Sequence, residues 1–138
     1  MTGTKRLLIG LVAVAGSVSL LVGNAFAGSP RTSTSSTTRT TVCQATLTLS
    51  YVRGTNTFQG HLATCRDCAA NRTIEIFRVT KSGPVLVLTA TTDENGNFSI
   101  SAAGLPRGHY FARVLPVTRG DHRCRGDRSN TVFKRRRH

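Results

Sequence analysis

The cysteines Cys43, Cys65, Cys68 and Cys124 offer this chain the most chemistry. Cys65-Arg66-Asp67-Cys68 has the spacing of a dithiol redox motif. A reactive thiol of that kind sits at a helix N-terminus, which lowers its pKa, and no helical periodicity follows Cys68. Cys65, Cys68, His122 and Cys124 also form a plausible zinc set, but a second clean ligand pair is missing. An even number of cysteines in an exported chain reads first as disulfides. A hairpin centred on Gly54 sets Cys43 opposite Cys65, across the open end of two paired strands. By elimination Cys68 then joins Cys124.

Acid–base chemistry finds less to work with. Of the six carboxylates, Asp93 and Glu94 fall in a turn, and Asp121 and Asp127 fall in a basic loop. No triad or carboxylate pair emerges, and His61, His109, His122 and His138 are scattered. Aligning Asp93-Glu94-Asn95-Gly96 with a calcium loop puts Thr91 and Ala102 where the ion needs carboxylates. The expectation is a non-enzyme with no catalytic residue, metal or cofactor.

Charge is the remaining signal. The chain carries a net +13, and eight Lys or Arg lie between Arg119 and His138. Arg123, Arg125, Arg128, Lys134, Arg135, Arg136 and Arg137 are the candidate polyanion contacts. Such a field attracts anionic envelope polymers or a membrane surface without ligand specificity. Sequence-specific nucleic-acid binding is not expected: Trp is absent, and Phe58, Phe98 and Tyr110 fall on core faces, leaving Phe77, Phe111 and Phe133 to point outward.

These residues depend on the segments that carry them. Lys5 and Arg6 precede an uncharged apolar stretch from Leu7 to Val22, then Ala25-Phe26-Ala27, the three-part layout of a secretory signal peptide over 1–27. Glycines and serines interrupt the stretch, and it is short for a membrane span. Removing it lowers the net charge only by the two units of Lys5 and Arg6. A Ser/Thr-rich flexible spacer is expected over 28–42, since nine of the twelve residues from Arg31 to Val42 are Ser or Thr. The protein is expected to be secreted.

From residue 45 the pattern turns to period two. Ala45, Leu47, Leu49 and Tyr51 alternate with polar residues, and Phe58, Gly60 and Leu62 return beside them. Thr73–Thr80 and Pro84–Thr92 are β-branched and apolar, and Asn95-Gly96 turns the chain into a short strand at Phe98 and Ile100. Tyr110, Ala112 and Val114 alternate next, and a last strand follows a polar loop, around Ser129–Lys134. About seven short strands and no amphipathic helix predict an all-β sandwich domain over 43–134, with a basic tail over 135–138.

Thr92-Asp93-Glu94-Asn95-Gly96-Asn97-Phe98 followed by Leu105-Pro106-Arg107-Gly108-His109-Tyr110 resembles the carboxypeptidase regulatory-like, transthyretin-related group of domains. It is also similar to short secreted Ig-like proteins of actinobacteria, in which a cysteine before the third strand pairs with one before a final Ser-x-x-Val, here Ser129 to Val132. The resemblance implies a Greek-key Ig-like sandwich and a Cys68–Cys124 bond, and an accessory, structural or binding role. Two functions are weighed: a module binding or decorating the cell envelope, and a cationic effector acting on other cells or membranes. The effector reading lacks the usual membrane-active helix.

Overall fold

The computed structural model describes residues 37–135. The expected signal peptide, most of the spacer, and Arg136, Arg137 and His138 lie outside the described residues. In chain order the elements are β1 (Thr41–Cys43), β2 (Thr46–Val52), β3 (Thr57–Ala63), α1 (Arg66–Ala69), β4 (Thr73–Thr80) and β5 (Gly83–Thr91). There follow β6 (Asn97–Ser101), β7 (Gly108–Val114), β8 (Val117–Arg119), β9 (His122–Cys124), β10 (Asp127–Arg128) and β11 (Val132–Lys134).

Alternation builds an all-β sandwich. One sheet has the order β2-β3-β6; the other has β10-β7-β4-β5, with β11 also on β7. Leu47, Leu49, Phe58, Leu62 and Phe98 from the first sheet meet Ile74, Ile76, Tyr110, Ala112 and Val114 from the second in one buried cluster. Burying each of the larger side chains contributes roughly 1.5–3 kcal/mol. The Phe58 and Tyr110 rings lie 5.0 Å apart across the interior. The Tyr110 hydroxyl donates to Pro106 O at 2.6 Å. That bond anchors the turn before β7, as corner tyrosines do in sandwiches. Burial raises the Tyr110 pKa.

The seven expected strands are β2 to β7 and β11. Four more, β1, β8, β9 and β10, span only two or three residues each, too short for a period to show. They include a small third sheet, β1-β9-β8. Its existence corrects the spacer boundary, because Thr41 and Val42 pair in parallel with His122 and Arg123. Thr41 N–H donates to Asp121 O at 2.8 Å. Backbone bonds and the neighbouring Cys43 order a segment whose side chains alone cannot.

Both expected disulfides are present, Cys43–Cys65 and Cys68–Cys124, each with a Cα–Cα distance of 5.5 Å. The first forms by a different route from the one the hairpin suggests. Leu47 pairs with Leu62 and Tyr51 with Phe58, one residue off a hairpin centred on Gly54. Continued outward, that register sets Cys43 against Arg66. The bond closes because β1 leaves the hairpin to pair with β9, while the chain after β3 bends into the single turn of α1. That turn begins beside Cys65, so one turn of helix does follow the first cysteine of the Cys-x-x-Cys stretch. Each cysteine of the stretch is bonded elsewhere, however, which removes the dithiol and the thiolate zinc set alike.

Candidate functional site

The cationic side of the molecule is assembled where β7, β9 and β10 end. β7 alternates Tyr110, Ala112 and Val114 inward, so Phe111 and Arg113 point outward. Phe77 on β4 is paired with Phe111, and the two rings stack at 5.3 Å and 11°. Guanidiniums cover this stack: Arg128 lies 3.8 Å from the Phe111 centroid and Arg113 lies 4.7 Å from that of Phe77. Arg113 also binds Glu75 at 2.8 Å. A guanidinium held flat on a ring keeps N–H groups at its edge free for an oxyanion while losing little rotamer freedom on binding. Phe111, expected outward, does face outward, yet it is only 6 % exposed beneath this cover.

Beside the stack lies a depression of about 420 Å3. Arg113, Arg123, Arg125 and Arg128 line it, with Pro116 and Gly126 on its walls. Arg123 and Arg125 flank Cys124, so the Cys68–Cys124 bond pins the segment that bears both. Both side chains are exposed and make no hydrogen bond or ion pair among the described residues. Asp127, the nearest carboxylate in the rim, is turned to the fold: its Oδ2 accepts from Leu47 N–H at 2.7 Å.

Two residues bring the walls together. A Cβ on Gly126 would stand 2.5 Å from Val114 O and 2.9 Å from Pro116 Cδ, so only glycine lets the two connections approach this closely. Arg72, 3 % exposed, reaches the same connections from behind. Its guanidinium donates to Cys68 O at 3.1 Å, Leu115 O at 2.6 Å and Arg125 O at 3.2 Å. Burial, with the Arg119 charge adding, lowers its pKa. Arg72 is therefore a structural clamp.

The sequence-chosen residues divide. Arg123, Arg125 and Arg128 come together at the depression, and Arg135 is exposed at the end of β11. Lys134 does not join them: it is 6 % exposed, and its ammonium donates to Leu105 O at 2.9 Å on the inner face. That is the consequence of alternation in β11, which turns Lys134 in and leaves Phe133 39 % exposed beside His109. Arg136 and Arg137 lie outside the described residues. Arg113 was missed as a site residue, and its signal was its outward parity with Phe111.

The opposite sheet carries a shallow trough of about 730 Å3 over Thr48, Ser50, Gln59, His61 and Ser99. His61 Nδ1 lies 3.0 Å from Asn97 Oδ1, and Asn97 Nδ2 donates to Asp93 at 3.4 Å. The chain of contacts ends in the turn carboxylate of Asp93. Among the described residues no group of three or more His, Cys, Asp and Glu stands ready to hold a metal ion. No family model, curated protein or solved structure matches the chain.

Proposed function

We propose that this domain is an exported, non-catalytic binding module that holds anionic polymers of the cell envelope through the arginines around the Pro116–Gly126 depression, extended by the basic tail. The observation that carries this reading is the pair of unpartnered guanidiniums, Arg123 and Arg125, beside two ring-stacked ones, Arg113 and Arg128. Like charges gathered at one place repel each other, and a polyanion relieves that repulsion while accepting from several N–H groups at once. Resemblance to accessory sandwich domains agrees with a binding role.

The test is retention of the protein, as recovered from its host, on intact envelopes and on neutral beads across a salt series. Retention on envelopes alone, falling steeply with salt, is the expected result. Replacing both Arg123 and Arg125 by Ala weakens it, and removing residues 135–138 weakens it further. Equal retention of the double variant sinks the assignment to the depression. Absence of binding even at low salt sinks the function.

A further inference from the structure

The edges of the two main sheets are guarded unequally. β10 and β11 offer two and three residues. β2 is capped from the side: Leu47 N–H is taken by Asp127, and Asn130 both accepts from Leu49 N–H at 3.0 Å and donates to Leu49 O at 2.9 Å. β6 is five residues long and alternates Asn97, Ser99 and Ser101. Short, capped or polar edges resist pairing with other chains.

β5 has none of these protections beyond Pro84 near its start and a bulge at Val87, where its register with β4 shifts. It is nine residues long, ends its sheet, and contains no charged residue. Val85 is 51 % exposed and Leu86 47 %, and Val79, beside them on β4, is 43 % exposed. An uncharged, β-branched edge of this length is a template for a further strand.

We infer that β5 is the docking edge for a second copy of this chain, with the two β5 strands pairing antiparallel about a two-fold axis. Charge placement selects this occupant. Antiparallel pairing sets Lys81, just before β5, beside Asp93 and Glu94, just after β5 of the second copy, and symmetry makes that match twice. Lys81 and Glu94 are exposed and have no side-chain partner among the described residues. Arg78 on β4 pairs with Val85 next to this edge, whereas the arginines of the depression sit at the other side of the sheet. Arg113 on β7 is five strand spacings from its counterpart, roughly 24 Å, or about three Debye lengths at physiological salt. The dimer therefore carries its two cationic depressions at opposite ends. The inference stands whether or not those depressions bind an envelope polymer.

Sedimentation equilibrium of the protein as recovered from its host, with its N-terminus read by mass spectrometry, tests the edge. The wild type is expected to dimerise. Val85→Lys with Leu86→Lys, at positions already exposed and so tolerated by the fold, raises the dissociation constant about tenfold or more. Lys81→Glu and Glu94→Lys each weaken the dimer by roughly two- to fivefold, and the double swap restores it. Hydrogen exchange adds a readout on the unaltered chain: β5 amides gain protection as concentration rises. A wild type that stays monomeric into the millimolar range overturns the inference. So does a dimer indifferent to the Val85, Leu86, Lys81 and Glu94 changes.

Discussion

The two outer faces of the sandwich arise from the same alternation and end as opposites. On β2 and β3 the outward residues are mostly hydroxyls, with Val52, Gln59, His61 and Ala63, and two of the hydroxyls bond to their own sheet. Thr48 Oγ1 donates to His61 O at 3.2 Å, and Ser50 Oγ donates to Gln59 O at 3.1 Å. On β7 and β10 the outward residues are aromatic rings roofed by guanidiniums, and next to them the side chains of Arg123 and Arg125 bond to nothing among the described residues. Hydrogen bonds satisfied within the sheet give a ligand little to gain, whereas unpaired charges held together do. The difference lies in where the donors are already committed, not in how polar each face is.

Removing one disulfide separates the two faces most strongly. The cationic side is tied down by Cys68–Cys124, with a sequence separation of 56, whereas Cys43–Cys65 closes the open end of the β2–β3 hairpin. In the chain-entropy model this closure contributes about 4 kcal/mol, and the shorter Cys43–Cys65 closure about 3. Replacing Cys68 and Cys124 with Ala is therefore expected to cost about 4 kcal/mol in denaturant melts. In that variant hydrogen exchange is expected to rise first in β9 and β10 while β2 and β3, still closed by Cys43–Cys65, stay protected, and envelope retention falls in step. A melting curve that dithiothreitol leaves in place would falsify the tie between the bonds and the face.

What the sequence revealed follows the same division. Longer strands were legible from period-two alternation or, as for Thr73–Thr80, which coincides with β4, from a β-branched, apolar run. β1, β8, β9 and β10 were illegible because each spans two or three residues, and the pairing of β1 with the distant β9 helps to position Arg123 and Arg125. The disulfide partners were legible, yet the hairpin register behind Cys43–Cys65 was one residue off, since nothing local announces that β1 departs toward β9. Among the basic residues, charge and position alone set Lys134 beside its neighbours. Only its parity in β11 shows that it is buried against Leu105.

The polar sheet breaks most readily at Gly60. A Cβ there would stand 2.1 Å from Thr48 O and 2.5 Å from the Phe98 ring, against backbone and a buried aromatic that cannot both move aside. Gly60→Ala is expected to cost about 3 kcal/mol, the upper end of overpacking. The Arg123 and Arg125 site lies on the other side of the sandwich, so retention per folded molecule is expected to stay at the wild-type value. Thermal melts and the retention assay together check this. A variant that melts normally removes the close packing of Phe98 over β3, and one that folds but no longer binds shows that the two faces are coupled.

The smallest effect sits where the chain crosses from one sheet to the other. Asp93, fully exposed, has its pKa lowered by the Asn97 N–H at 2.8 Å above all, with the Asn95 N–H at 2.9 Å, the Asn97 amide and the His61 charge adding. A carboxylate with a depressed folded pKa contributes stability that is fully present above its ordinary value. That contribution is lost as pH falls through the folded one. The gap in melting temperature between wild type and Asp93→Asn is therefore expected to be widest near neutral pH and to close in acid, below the ordinary carboxylate range. Because the bonds to Asp93 come from the start of β6, the acid effect belongs to the polar sheet. A gap that stays constant with pH would mean that the turn is held by its backbone shape at Gly96, which has a φ of 81°, and not by the charge.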